Sequence, residues 1–186
     1  MLTPLATSML AMLSEQPMHC YEMYRLMLRR HEDRIVKIKP GSLYHTMDRL
    51  AAAGMVVATG IDREGARPER TTYAITPAGR DAMREWVRSV LAEPVNEYPR
   101  LPVALGESHN LPVDEVIGLL FERIARLEAV LATDEVLVAE ALECGVADAH
   151  LLDADFQMNM TRAELGWLRR LADRLESKEL SWPTDR

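Results

Sequence analysis

The spacing of apolar residues divides the chain into three parts. In residues 5–53 apolar positions recur every three or four residues, which is typical of amphipathic helices. Residues 55–75 contain two short runs of β-branched and aromatic residues instead, and from residue 113 the helical spacing returns over two longer segments. The sequence therefore predicts a mainly α-helical fold with one small β-hairpin.

Three helices are predicted before the hairpin, at about residues 5–14, 19–31 and 40–53. The third has the clearest ends. Pro40 suits the first position of a helix, because its fixed φ is already helical and its missing N–H would have no partner there. Gly54 suits the left-handed residue that ends a helix. We therefore expect the third helix to be sharply bounded.

A β-hairpin and a closing helix are predicted next. The strands cover about residues 55–59 and 70–75, and the closing helix begins after Thr76, a good N-cap, and ends before Pro94. Three helices, a hairpin and a fourth helix in this order indicate a winged helix-turn-helix domain, in which the third helix enters the DNA major groove. A small α+β domain with an incidental hairpin is the alternative.

Charge separates the two halves of the chain, whose net charge is −7. Residues 1–93 contain 13 Lys and Arg against 11 Asp and Glu, a net charge of +2, whereas residues 94–186 contain 9 against 18, a net charge of −9. Because the field on one face matters more than the total charge, the acidic total does not exclude DNA binding by the first half.

The outer face of the predicted third helix combines hydroxyl, imidazole and guanidinium groups, which suit phosphates and base edges. Lysines before this helix and arginines near the hairpin tip are expected to supply salt-dependent attraction to DNA. Ser42 and Tyr44 are expected to hold phosphate, and His45 or Arg49 to reach bases. The residues predicted to bind double-stranded DNA are Lys37, Lys39, Gly41, Ser42, Tyr44, His45, Arg49, Arg63, Arg67 and Arg70.

Two long amphipathic helices are predicted at residues 113–143 and 148–178. The apolar positions of the first alternate spacings of four and three, as in a heptad seam, and in the second Phe156 is expected on the same side as the later leucines. Such helices cannot bury their apolar faces alone. They can pack as a hairpin on the first domain or against a second copy, and we favour the second copy, as an intersubunit bundle. The predicted dimer contacts are Ile117, Leu120, Ile124, Leu127, Leu165, Leu168 and Leu175.

The predicted organisation is a DNA-binding domain over residues 1–93, a linker over residues 94–111 and a helical dimerisation domain over residues 112–186, with effector binding by the last domain left open.

No catalytic constellation emerges from the sequence. None of the five histidines lies in an HExxH motif or beside a cysteine pair, and Cys20 and Cys144 fit no metal spacing. We therefore expect no enzyme activity, no metal and no cofactor. The lack of a basic, cleavable leader and of an 18-residue apolar run predicts a cytoplasmic protein without membrane contact.

Short motifs in the first half resemble the PadR family of transcriptional regulators and occur in that family's order over about residues 5–92. They are Pro17-Met18-His19-Cys20-Tyr21-Glu22, Pro40-Gly41-Ser42-Leu43-Tyr44 with Arg49-Leu50, Ala53-Gly54-Met55-Val56, and Arg70-Thr71-Thr72-Tyr73-Ala74-Ile75-Thr76 with Gly79. The resemblance implies a winged-helix repressor that binds an inverted-repeat operator as a homodimer and often responds to a small-molecule effector.

Two positions depart from the family pattern. Cys20 stands where the family usually has glycine, and we expect a small buried residue there, with a redox-sensing thiol as the alternative. Lys39 stands where the family tends to have serine; it cannot accept the hydrogen bonds of an N-cap, but it can reach a phosphate. A dimeric protein-interaction module is the alternative function. The sequence does not identify the operator or the effector, and it does not distinguish repression from activation.

Overall fold

The computed structural model describes residues 2–62 and 70–183. It divides into two compact units, Met1–Glu97 and Tyr98–Arg186. The second unit thus begins inside the segment that the sequence predicts as a linker.

The N-terminal unit has the predicted order of elements, a helix-turn-helix followed by a hairpin and a closing helix, which confirms the winged-helix fold. A 3-10 turn at Glu32–Arg34 lies between the second and third helices. The elements are α1 (Pro4–Glu15), α2 (Cys20–Arg29), α3 (Pro40–Ala52), β1 (Val56–Asp62), β2 (Arg70–Ile75) and α4 (Pro77–Ala92).

Local capping explains where these helices begin and end. Gly54 has a φ of +69°, as expected of the residue that ends α3. The Thr76 hydroxyl accepts a hydrogen bond from the N–H of Gly79 at 3.1 Å and donates one to the carbonyl of Gly54 at 2.8 Å. One N-cap side chain therefore fixes the start of α4 to the end of α3.

The core of this unit is rich in methionine. Its buried members come from α1, the segment between α1 and α2, α2, α3 and the base of the hairpin. Because the unbranched thioether adapts to irregular gaps, methionine can fill the space between these packed elements. The buried residues are Ala6, Met9, Leu10, Met12, Leu13, Met18, Cys20, Met23, Met27, Leu43, Met47, Leu50, Val56 and Ile75.

The hairpin is fixed to the helix-turn-helix along its second strand. Strands β1 and β2 pair antiparallel from Val56↔Ile75 to Asp62↔Arg70. The N–H of Met18 donates to the Tyr73 carbonyl at 3.1 Å, and the N–H of Tyr73 donates to the Met18 carbonyl at 3.0 Å. The segment that leads into α2 is thus hydrogen-bonded to β2.

The C-terminal unit is built on α5 (Arg100–Gly106), α6 (Val113–Glu143) and α7 (Leu152–Glu176), with 3-10 turns at Ser108–Asn110 and Asp148–His150. Two ion pairs show that α6 and α7 are antiparallel. Glu128 of α6 pairs with Arg169 of α7. Glu135 lies seven residues further along α6, and its partner Arg162 lies seven residues nearer the start of α7.

The seam of this helical hairpin contains all seven residues predicted as dimer contacts. Leu120, Ile124, Leu165, Leu168 and Leu175 are buried, and Ile117 and Leu127 pack against them. Their apolar faces therefore have a partner within one chain, and their contact with a second copy stays a prediction.

Phe156 differs from the expected arrangement, because its side chain is exposed instead of lying with the leucines of the α7 seam. In a helix with 3.6 residues per turn, position 156 lies well away from the face shared by positions 165, 168, 172 and 175.

No helix in the described part of the chain combines the length and apolar character that a membrane span requires.

Candidate nucleic-acid interface

Helix α3 has a buried apolar face and an exposed polar one, as its sequence predicts. Leu43, Met47 and Leu50 lie in the core. Tyr44 is 53% exposed. Ser42 is half-buried, and His45 and Arg49 are exposed. The hydroxyl, imidazole and guanidinium groups of this helix are therefore available to a ligand outside the protein.

The first turn of α3 is open to an anion. Lys39 is the N-cap residue, with an extended backbone, and its side chain makes no capping hydrogen bond. A Cβ placed on Gly41 would meet no atom within 4 Å, so the backbone at that position can be approached closely. Backbone N–H groups at a helix start attract negative charge, and a phosphate is the anion that DNA supplies.

The connector before α3 directs two lysines to solvent. Val36 is buried and Ile38 is half-buried. Lys37, which lies between them, and Lys39, which follows Ile38, are both exposed. Burial thus alternates along the connector, and anchoring the two apolar residues in the protein leaves both lysines on the solvent side. The connector thus places two positive charges beside the start of the polar face of α3.

The stem of the wing is formed by β1 and β2. It lies between α3 and Thr76, the N-cap of α4. Arg63 and Arg67 lie outside the described residues, and for Arg70 the structure gives the backbone, as the first residue of β2. Their predicted contact with DNA stays a prediction.

Three arginines, two in α2 and one directly after it, have different surroundings that the sequence does not distinguish. Arg30 forms a two-pronged ion pair with Glu15 of α1, at 2.6 and 2.7 Å, and the hydrogen bond to that carboxylate raises the pKa of Arg30. Arg25 and Arg29 are exposed, one turn apart, and form no ion pair within residues 2–62 and 70–183. Only tertiary contacts show that Arg30 is paired with a carboxylate of another helix while the other two are available to an anion.

Cys20 lies at the junction of α2, β2 and α3. Burial, with a smaller contribution from the nearby carboxylate of Asp48, raises the pKa of its thiol to about 11. Burial also raises the pKa of Tyr73, with Cys20 and Asp48 as weaker causes. The Cys20 thiol therefore stays protonated at neutral pH, as expected of a small buried residue.

The described residues contain no group of three or more His, Cys, Asp or Glu side chains that could hold a metal ion.

Comparison with known proteins agrees with this architecture. Residues 9–85 match the model of the Transcriptional regulator PadR-like family. The N-terminal domain belongs to the PadR-like family. The match spans α1 to α4, including the whole of α3, and it confirms the resemblance drawn from the short motifs of the sequence. No curated protein sequence matches the chain.

Several solved structures share the fold of this chain over nearly its full length. Bacillus subtilis PadR in complex with operator DNA has a TM-score of 0.77 and 14% identity, covering 93% of this chain and 99% of that one. The same protein in complex with p-coumaric acid has a TM-score of 0.76 and 14% identity, covering 92% and 98%. The Vibrio cholerae virulence activator AphA has a TM-score of 0.73 and 17% identity, covering 94% and 99%.

Proposed function

We propose that this PadR-like protein is a transcriptional repressor that binds an inverted-repeat operator as a homodimer. The observation that carries the proposal is the exposed polar face of α3, beside two outward lysines, in a domain of a transcriptional-regulator family. In this proposal, α3 of each subunit enters the major groove of one half-site.

The side chains of the interface divide into two roles. Ser42, Tyr44 and the backbone N–H of Gly41 hold phosphates and so set the position of α3, while His45 and Arg49, farther round the exposed face, read base edges. Lys37 and Lys39, together with Arg63, Arg67 and Arg70 of the wing, supply attraction that depends on salt. A structurally similar protein has been solved with operator DNA, which supports this mode of binding.

The homodimer is proposed to form through one outer face of the α6–α7 hairpin. Large apolar side chains there are 43–59% exposed: Leu119 and Val130 on α6, and Phe156, Met160 and Trp167 on α7. Apolar side chains clustered on one exposed face are typical of a protein–protein interface.

An ion pair between the two helices shows that these residues share one face. Arg123 lies one turn after Leu119, and Glu164 lies one turn after Met160; the Arg123 guanidinium and Glu164 carboxylate are 2.6 Å apart. Since residues three or four apart lie on the same side of a helix, the ion pair connects the two apolar rows. The seven seam residues pack between α6 and α7 and so hold the two helices side by side.

Repression and release by an effector complete the proposal. A bound dimer prevents transcription where its operator overlaps a promoter, and a small aromatic acid is a reasonable first effector to test, because a structurally similar protein has been solved with p-coumaric acid. The similarity to an activator makes activation the competing outcome. Transcription from a template that carries the operator, with and without the protein, distinguishes repression from activation.

The binding proposal is tested by selecting duplexes from a random pool with the full chain. We expect a palindromic sequence, bound with an affinity that falls steeply as salt rises. Selection of a single, non-repeated half-site would contradict the homodimer. Failure to retain any duplex at low salt would contradict DNA binding and favour a protein-interaction module.

A further inference from the structure

Asp48 is an acidic side chain on the exposed face of α3. Tyr44 and His45 precede it by four and three residues, so Asp48 shares their side of the helix. Asp48 is exposed, and it forms no hydrogen bond or ion pair with any other residue in the part of the chain that the structure describes. The neighbouring Arg49 follows by one residue and therefore points in a different direction.

A carboxylate in this position opposes binding to DNA in general. The phosphates repel a carboxylate, which accepts hydrogen bonds from donors and offers none to phosphate oxygens. The next outward residue, Ala52, is small and exposed and would not keep Asp48 away from a base edge. A hydrogen bond from the DNA to the carboxylate offsets this loss of binding free energy, and it forms only where a base presents a donor.

The base edges in the major groove differ in this respect. Guanine and thymine present acceptors, which repel a carboxylate. Adenine presents the donor N6–H₂ beside the acceptor N7, whereas cytosine presents the donor N4–H₂. A carboxylate therefore favours cytosine over the other three bases.

We propose that Asp48 determines sequence specificity by accepting a hydrogen bond from the N4 amino group of one cytosine in each half-site. This inference rests on the proposed function, since it requires α3 to lie in the major groove. In it, Asp48 lowers affinity for all duplexes and restores it only for those with cytosine at the contacted position, so that the acid adds specificity and not affinity.

The inference is tested with two variants of the full chain and a selected operator. Every base pair of the half-site is replaced in turn, and dissociation constants are measured at fixed salt. For the wild-type protein we expect one cytosine whose replacement weakens binding by about 5- to 100-fold. Asp48→Ala is expected to reduce that preference to about twofold or less and to bind random duplexes more tightly. Asp48→Asn is expected to prefer adenine there, because an amide pairs with adenine N6 and N7.

Asp173→Ala is the matched control, because it removes the same charge from an exposed position of α7. It is expected to leave the cytosine preference unchanged. Persistence of that preference in both Asp48 variants would overturn the role of Asp48 while leaving the proposed function intact. A wild-type protein that binds no duplex would overturn both.

Discussion

Tyr44 is proposed to contact a DNA phosphate from the exposed face of α3. Its side chain is 53% exposed, although it follows the fully buried Leu43. The ring can lie on the helix surface while the hydroxyl extends outward. A hydrogen bond to a charged group contributes about 1.5–3 kcal/mol, whereas an exposed hydroxyl contributes little to folding.

We therefore expect Tyr44→Phe to weaken operator binding by about tenfold or more and to leave the melting temperature nearly unchanged. The measurements are paired titrations of operator DNA and thermal unfolding curves. Tyr98→Phe, at an exposed tyrosine outside the PadR-like domain, is the control and should keep full affinity. Full affinity in Tyr44→Phe would assign the ring to packing alone.

The two cysteines are expected to react at very different rates. Cys144 is exposed, while Cys20 is buried and its pKa is raised to about 11. The thiolate is the reactive form of cysteine. A disulfide reagent at neutral pH should therefore modify Cys144 rapidly and Cys20 only when the protein unfolds. Cys144→Ser should remove the fast phase. A fast phase that persists in this variant would revive the redox-sensing alternative for Cys20.

At the scale of elements, the junction between the hairpin and α4 depends on Gly79. A Cβ on this residue would lie 2.1 Å from the carbonyl oxygen of Met55 and 3.0 Å from Cγ1 of Ile75. Backbone and a buried side chain cannot both withdraw cheaply, so the start of α4 would have to move away from the hairpin.

We expect Gly79→Ala to lower the free energy of unfolding by about 1–3 kcal/mol or more, measured by urea denaturation. Gly41→Ala is the matched control in the same unit, because a Cβ there meets open space and alanine favours helix. The control should be as stable as the wild type or more so. Equal stability of the two variants would show that the N-terminal unit relaxes around position 79.

At the scale of the whole molecule, the outer face of the α6–α7 hairpin is expected to decide the oligomeric state. Trp167→Glu places a charge at the C-terminal end of the apolar row on α7. It should convert the dimer to a monomer and reduce operator affinity, because one subunit then binds without the other. The measurement is light scattering at micromolar concentration.

Val136→Glu is the matched control for this experiment. Val136 is an exposed residue on the side of α6 away from the seam, and the substitution adds the same charge to the same hairpin. It should leave the dimer intact. Dissociation by Val136→Glu but not by Trp167→Glu would place the dimer interface on the opposite side of the hairpin.

The sequence by itself determined the local elements and the polar face of α3. Pro40, Gly54 and Thr76 mark helix ends through their own backbone and side-chain chemistry, which acts over a few residues. The spacing of Leu43, Met47 and Leu50 likewise shows which face of α3 is buried. Such signals are readable because cause and effect lie within one or two turns of the chain.

Only the tertiary structure decided what each face packs against. Periodicity shows that a helix has an apolar side, but the identity of the segment that covers it depends on contacts far apart in sequence. The seam leucines of α6 and α7 cover each other within one chain, and Arg30, unlike Arg25, meets Glu15 of another helix. These pairings depend on packing in three dimensions, which local spacing does not encode.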